Sequence, residues 1–225
     1  MLEWKQNLEI SNLTLILYLH MNSIERLIQI FSEFPGIGPR QARRFVYFLL
    51  TRNDGAVEEL VKNLNSLKGD ISKCGECGRF FQKKHSEATL CSICSDSSRD
   101  RQILMIVPRD SDLESVEKNR VFTGTYFVLG GTVPILEKEP EKKVRTKELL
   151  DVIGKRIKES LSEIVVAMNW NPDGENTAIY IDSLLKPLAE KAKIKITHLG
   201  KGLSMGTELE YADPDTLKNA LRNRS

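Results

Sequence analysis

Cys74-Gly75-Glu76-Cys77 and Cys91-Ser92-Ile93-Cys94 are the stretches that organise this sequence, and they contain all four of its cysteines. Two C-x-x-C pairs separated by a short loop have the spacing of a tetrahedral zinc site with four cysteine ligands. Two disulfides or free thiols are the alternative, but nothing else indicates an oxidising compartment. His85 lies inside the loop and is expected to be solvated, because four thiolates suffice. The sequence predicts one structural Zn²⁺ held by Cys74, Cys77, Cys91 and Cys94.

The region before the cysteines is predicted to be helical. Apolar residues recur at helical spacing from Ile24 to Phe34, and Pro35-Gly36-Ile37-Gly38-Pro39 breaks that helix. A second helix should end at Asn53-Asp54-Gly55, and a third should run over residues 56–67. The residues expected in the core of this region are Ile37, Ala42 and Phe45.

The Pro-Gly-Ile-Gly turn between two helices is typical of a phosphate-binding hairpin. Its glycines let the backbone approach a ligand, and the second helix starts with free N–H groups at its positive end. No acidic residue lies between Pro35 and Arg52. Contacts of this kind go to phosphates and carry no base specificity. A plain turn joining two core helices is the alternative. The residues predicted to contact DNA are Gly36, Gly38, Arg40, Arg43 and Arg44.

Beyond Cys94 the pattern changes to apolar runs that alternate with helical segments. Such alternation predicts an α/β domain with a mainly parallel sheet. The predicted strands are residues 103–107, 126–129, 163–168 and 194–197, and the predicted helices are residues 112–117, 146–160 and 177–192.

Charge and hydropathy limit the possible partners. The net charge of +2 over 225 residues means that any nucleic-acid surface must be local. No apolar run approaches the roughly 18 residues of a membrane span, so no membrane partner is expected. Asn22 followed by Glu25 is an N-cap signature just after Met21. We therefore predict that Met21 is the ordinary start and that residues 1–20 are an extension, so the N-terminal part is set at 1–21. An added helix packed on the next domain is the alternative.

The order of these motifs resembles the RecR family of bacterial recombination mediators. The motifs that carry the resemblance are the hairpin FPGIGPRQARR at residues 34–44, the four-cysteine module with Arg99-Asp100 just after it, Val128-Leu129-Gly130-Gly131, and Leu209-Glu210-Tyr211-Ala212-Asp213. They stand in the family's order, and the match covers residues 22 to about 222.

The resemblance implies an α/β (overall α+β) fold in several parts. These are a helix-hairpin-helix domain at 22–71, a four-cysteine zinc finger at 72–98, a Toprim domain at 99–197 and a C-terminal oligomerisation segment at 198–225. In that segment the stretch with Gly200, Gly202 and Gly206 would be a subunit contact or a plain loop. The zinc finger is expected to brace the hairpin, and its loss should leave the α/β core folded.

The resemblance also implies the partners and the place of action. Family members form dimers and ring-like tetramers, bind double- and single-stranded DNA, and work with RecO and RecF to load recombinase on single strands. We therefore expect a cytoplasmic, nucleoid-associated protein. Basic residues of the second hairpin helix contact DNA in the family, and the matching positions are Arg40 and Arg44. The family usually has Lys where Arg40 stands, and Arg keeps the charge.

Toprim enzymes hold Mg²⁺ through a Glu after the first strand and an Asp-x-Asp after a later one, since Mg²⁺ takes oxygen ligands. This chain has Pro108, Asn169 and Asn171 in those places, so no catalysis is expected. A metal-dependent nuclease or primase-like enzyme is the alternative. Four nearby carboxylates remain that could hold a weak ion: Asp110, Asp112, Asp173 and Glu175. Asp173 and Glu175 could instead cap the helix that follows, or form part of a contact with RecO.

Overall fold

The computed structural model describes residues 21–83, 88–200, 206, 208–212 and 214–222. It forms two compact units, Met1–Gly69 and Asp70–Ser225. Residues 1–20 of the predicted extension, His85, Gly202 and Asp213 lie outside the described residues. No helix in the described part of the chain is long and apolar enough to cross a membrane.

The first unit contains three helices, α1 (Ser23–Ser32), α2 (Pro39–Leu50) and α3 (Asp54–Asp70), the last of which ends at the start of the second unit. The predicted cap of α1 is confirmed. The Asn22 side chain accepts a hydrogen bond from the Glu25 amide at 3.0 Å, and the Glu25 carboxylate accepts one from the Asn22 amide at 3.1 Å. This reciprocal pair satisfies two amide donors that a helix start leaves free.

Two predictions for this unit were wrong. Asn53-Asp54-Gly55 begins α3 and does not end α2, because the Asn53 side chain accepts a hydrogen bond from the Ala56 amide at 2.9 Å. Phe45 is 36% exposed, although Ala42 is fully buried as expected and Ile37 is half-buried. The buried side of α2 consists of Ala42 and Val46, which are four residues apart.

The second unit contains a four-stranded parallel sheet, as predicted. Its strands are β3 (Asp100–Val107), β4 (Gly124–Val128), β5 (Glu163–Val166) and β6 (Lys195–His198), in the order β4-β3-β5-β6. A two-stranded antiparallel hairpin precedes it, formed by β1 (Ile71–Lys73) and β2 (Phe80–Gln82). This hairpin was not predicted, because its strands are only three residues each and carry little pattern.

The helices of the second unit are α4 (Asp110–Asn119), α5 (Thr146–Ile157), α6 (Pro172–Ala192) and α7 (Pro214–Arg222), with 3₁₀ turns at Pro140–Lys142 and Leu209–Tyr211. Helix α6 starts five residues before its predicted start. Asn171 caps it by accepting a hydrogen bond from the Gly174 amide at 2.8 Å, and Pro172 occupies the first turn. The cap is therefore Asn171, although Asp173 and Glu175 were the candidates.

The side chains of the sheet alternate between two buried clusters. Leu104 and Ile106 of β3 lie in the cluster that contains residues of α5 and α6. Met105 and Val107 lie in the other cluster, which contains Leu113 of α4 and all four cysteines. A parallel sheet needs cover on both faces. The cysteine module provides part of that cover, so its four cysteines belong to the core of the α/β unit.

Candidate metal centre and nucleic-acid interface

The four cysteine sulfurs converge on one point. They lie within 4.8 Å of one another, and each residue is 5% exposed or less. The Sγ atoms of Cys77 and Cys91 are 3.6 Å apart, and the Cys91 amide donates to the Cys74 Sγ at 3.4 Å. Four sulfurs about 2.3 Å from a tetrahedral ion would stand about 3.8 Å apart. The arrangement therefore fits one metal ion.

Hydrogen bonds among the four thiols shift their pKa values in opposite directions, since those with Cys74 raise the pKa of Cys77 and of Cys94. The pKa of the Cys74 thiol is lowered, chiefly by its hydrogen bond with the Cys77 thiol and then by those with Cys91 and Cys94. Metal binding requires deprotonated sulfur. A metal held by all four sulfurs would therefore have to displace the protons of Cys77 and Cys94 as well.

The backbone of the first cysteine turn requires a glycine at position 78. Gly78 has a φ of +72°, which a residue with a side chain adopts at a cost, and its amide donates to the Cys74 carbonyl at 3.0 Å. The Gly75 amide donates to the Thr89 carbonyl at 2.9 Å, which joins the first turn to the segment leading to the second. Both glycines thus have a place in the centre, but Gly78 alone of the two needs the left-handed region.

Hydrogen bonds from both backbone and side chains dock this turn on the sheet. The Val128 amide donates to the Cys77 carbonyl at 2.8 Å, and the Arg145 guanidinium donates to the carbonyls of Gly78 and Val128. The Phe80 amide donates to the Asp110 carboxylate at 2.8 Å. These contacts hold the cysteine turn at the carboxyl ends of β3 and β4.

Glu76, the residue that precedes the second cysteine of the first turn, forms a charged network. Its carboxylate lies 3.1 Å from Nη2 of Arg156 on α5 and 3.5 Å from Nη2 of Arg101 on β3. The Arg156 side chain is 3% exposed, and its Nη1 atom has no hydrogen-bond partner among the described residues. Arg101 also pairs with Glu159 at 2.9 Å.

A second network holds the chain as it leaves the second cysteine turn. Nη1 of Arg99 donates to Glu117 at 2.8 Å, and the Tyr126 hydroxyl donates to the same carboxylate at 2.6 Å. Burial alone would raise the pKa of Glu117, but the hydrogen bonds from Arg99 and Tyr126 outweigh it and lower the pKa. Burial raises the pKa of Tyr126, and its hydrogen bond to Glu117 raises it further.

The carboxylates near the expected Toprim active site do not converge. Asp110 accepts from Phe80 as described, and Asp112 accepts from the Arg109 amide at 3.1 Å. Asp173 and Glu175 lie in the first turn of α6. Within the described ranges, the cysteines are the only group of three or more His, Cys, Asp or Glu side chains placed to share a metal. The weak ion considered for these acids thus has no ligand cluster in that part of the chain.

The backbone after β5 is tightly closed where the Asp-x-Asp of Toprim enzymes would stand. A Cβ on Gly174 would lie 2.0 Å from the carbonyl oxygen of Asn169, so the first turn of α6 packs directly on that backbone. Only glycine allows this approach. Asn171 uses its side-chain oxygen as the helix cap.

The predicted break between α1 and α2 is present at the hairpin turn. Gly36 has a φ of +77°, whereas Gly38 is extended and serves as the N-cap of α2 without a side chain. Pro39 follows in the first turn, and no side chain caps the helix start. The first amides of α2 are therefore not covered by a capping side chain.

The three arginines of α2 are exposed and share one side of the helix. Arg40 and Arg44 are four residues apart, and Arg43 lies beside them. Across the part of the chain that the structure describes, none of the three forms an ion pair; Arg44 donates to the Gln41 side chain at 3.5 Å. By contrast, the Arg52 guanidinium lies 4.1 Å from the centre of the Phe48 ring.

The two residues that join the metal centre to α5, Glu76 and Arg156, were not predicted. Arg156 stood in a helical segment beside Val152 and Ile153, and a charged residue among buried positions was the signal that could have revealed it. Glu76 had no such signal, because a charged residue in a cysteine turn is ordinarily exposed.

These features define a class of protein with a helix-hairpin-helix unit and a four-cysteine centre packed on a Toprim-type sheet. Family models match accordingly: RecR, helix-hairpin-helix at residues 24–68, Toprim domain at residues 102–200 and RecR, C-terminal at residues 202–225. Recombination protein RecR from Lactococcus lactis, in subspecies lactis and in subspecies cremoris, is 37% identical over 201 residues, covering 89% of this chain and 96% of each relative. The chain belongs to the RecR family, which supports a role in recombination and DNA repair.

Proposed function

We propose that this protein is a non-catalytic, DNA-binding recombination mediator. It assembles as a homodimer or homotetramer that clamps DNA, and it acts with RecO- and RecF-type proteins to load recombinase on single strands. The observation that carries the proposal is the exposed arginine face of α2, whose three guanidiniums have no ion-pair partner among the described residues. The name of the relatives, recombination protein RecR, supports it.

The arginine face suits a phosphate backbone. Guanidinium is always charged and presents a planar fork that matches phosphate. Arg40, Arg43 and Arg44, with the hairpin turn at Gly36 and Gly38, are the proposed DNA contacts. The same face would bind double and single strands, since phosphate contacts carry no sequence information. A protein with this role would act in the cytoplasm at the nucleoid.

The metal is proposed to be a single structural Zn²⁺ held by all four cysteines. A tetrahedral set of four sulfurs is typical of zinc or of an iron centre. Nothing in the cluster leaves a position open for a substrate, since all four sulfurs converge and all four residues are buried. Elemental analysis of the purified protein should give one zinc per chain, and iron in its place would contradict the proposal.

The parts are proposed to be the extension at 1–21, the hairpin at 22–71, the zinc finger at 72–98, the Toprim domain at 99–197 and the C-terminal contact segment at 198–225. Residues 72–98 and 99–197 share one buried cluster, so we propose that they fold together. Light scattering measures the assembly, and a monomeric mass with and without DNA would contradict the clamp.

The absence of catalysis is proposed from the residues at the strand ends. Pro108, Asn169 and Asn171 replace the expected acids, and Asp110 and Asp112 are engaged with backbone amides. We expect no cleavage of duplex or single-stranded DNA with Mg²⁺ or Mn²⁺. Cleavage that persists in highly purified protein and is lost in Asp110→Asn would revive the nuclease alternative.

DNA binding is tested by the double variant Arg40→Glu with Arg44→Glu. Removing two phosphate contacts should weaken binding and reduce the slope of log K against log salt by about 1.8 for duplex DNA. The matched control is Lys186→Glu with Lys191→Glu, which makes the same charge change at two lysines of α6. If the two double variants lose the same DNA affinity, the hairpin does not contact DNA and serves only as a turn between two helices.

A further inference from the structure

Tyr47 is an exposed aromatic residue on the arginine face of α2. It lies three residues after Arg44, four after Arg43 and seven after Arg40, so all four share one side of the helix. The distance along the axis from Arg40 to Tyr47 is about 10 Å. Tyr47 is 53% exposed, whereas Ala42 and Val46 face the opposite, buried side.

The Tyr47 ring differs from its aromatic neighbours in having no ring partner. Phe45 contacts Phe31 edge-on at 6.1 Å, and Phe48 lies under the Arg52 guanidinium at 4.1 Å. Among the described residues, Tyr47 forms no ring contact, cation–π contact or hydrogen bond. Its ring and its hydroxyl are therefore both available to a ligand.

The surroundings of Tyr47 favour a polyanion. No acidic residue lies between Pro35 and Arg52, and Arg43 and Arg44 both lie one helical turn before Tyr47. Proteins that bind single strands combine a cationic track for phosphates with aromatic rings on which bases stack. The bases of a duplex are paired and stacked on one another, so they offer no free face to such a ring.

We propose that Tyr47 stacks on an unpaired base of single-stranded DNA while the arginines bind the adjacent phosphates. This inference rests on the proposed DNA-binding function and narrows its ligand. Arg40, Arg43 and Arg44 bind either form of DNA, and Tyr47 adds affinity for the single strand alone. The hairpin thereby distinguishes unpaired DNA without reading its sequence.

The test compares Tyr47→Leu, which removes the aromatic ring, with Tyr47→Phe, which keeps it. Binding of full-length protein to an oligothymidylate, to an abasic strand of the same length and to a duplex is measured by fluorescence anisotropy. Tyr47→Leu should weaken binding to oligothymidylate by about 5-fold to 150-fold. The affinity of Tyr47→Leu for the abasic strand and for the duplex should be unchanged. Tyr47→Phe should bind all three ligands with the affinity of the parent protein.

Phe48→Leu is the matched control, because it removes a neighbouring ring that Arg52 covers. It should not change the preference for the single strand. A second measurement uses a strand containing 2-aminopurine, whose fluorescence should be quenched by the parent protein and by Tyr47→Phe but not by Tyr47→Leu. Circular dichroism confirms that each variant is folded.

Two results would overturn the inference. In the first, Tyr47→Leu binds oligothymidylate as tightly as the parent protein does. In the second, its affinity for oligothymidylate falls only as much as its affinity for the duplex. A lower solution mass for Tyr47→Leu, with equal losses on all three ligands, would place the ring in a subunit contact and also overturn it. Failure of the proposed function looks different, because the Arg40→Glu, Arg44→Glu variant would then keep its affinity for both DNA forms.

Discussion

Arg156 donates a hydrogen bond to Glu76 at 3.1 Å, and this ion pair joins the first cysteine turn to helix α5. The Arg156 side chain is 3% exposed and that of Glu76 is 30% exposed, so water reaches the carboxylate but hardly reaches the guanidinium. A buried charge without its partner is costly, whereas the intact pair contributes little net stability. The contact therefore acts mainly by keeping the cysteine turn in one place.

Glu76→Gln should destabilise the second unit by about 2–3 kcal/mol, somewhat less than the loss of a fully buried partner, because Glu76 is partly exposed. The amide keeps the shape of the side chain but leaves the Arg156 charge uncompensated. Urea unfolding followed by circular dichroism measures the change. Replacing both partners, in Glu76→Gln with Arg156→Met, should restore part of the loss, since the buried charge is then removed.

Glu159→Gln is the control for this prediction. Glu159 pairs with Arg101 at 2.9 Å and is 48% exposed, so its loss should cost less than about 1 kcal/mol. If Glu76→Gln and Glu159→Gln have the same unfolding midpoint, then the burial of Arg156 does not make its ion pair with Glu76 more important for stability than the exposed pair of Arg101 and Glu159.

Removing the metal should unfold the second unit as a whole. The cysteines share a buried cluster with Met105, Val107, Leu113 and Tyr126, so loss of the ion would uncover one face of the sheet. Metal release to a chelator is followed with a colorimetric indicator, and the loss of helix and sheet is followed by circular dichroism. The two transitions should have the same midpoint in denaturant. Cys91→Ala should likewise lower the unfolding temperature. An α/β core that keeps its midpoint without metal would support a separately folding finger.

Stability at acid pH should depend on Glu117. Its pKa is lower in the folded protein than in the unfolded chain, so its contribution is present above the unfolded pKa and is lost as pH falls through the folded pKa. Glu117→Gln should lower the free energy of unfolding by about 1.5–3 kcal/mol at neutral pH, as expected for the loss of hydrogen bonds to a charged group. The difference from the parent protein should shrink on acidification. A difference that stays constant with pH would contradict the role of the charge.

The periodicity of apolar residues and the spacing of short motifs predicted the local features of the fold. The parallel strands appeared as apolar runs, and the cap at Asn22 and the convergence of the cysteines followed from local spacing. Contacts between distant segments were not predictable in the same way. The burial of Arg156 and the role of Asp110 as an acceptor for Phe80 depend on how the β1–β2 hairpin lies on the sheet. Phe45 was wrongly placed in the core because apolar residues lie on several sides of α2, and the pattern alone did not select Ala42 and Val46.

The burial of the cysteines also limits their reaction with oxidants and alkylating reagents. The four residues Cys74, Cys77, Cys91 and Cys94 are all the thiols of the chain, and each is 5% exposed or less. Sulfur oxidation depends on solvent access as well as on thiolate character. Peroxides and alkylating reagents therefore meet no accessible thiol on the folded protein. The sulfurs can therefore be oxidised or alkylated only after the second unit opens, so their rate of modification would report that opening.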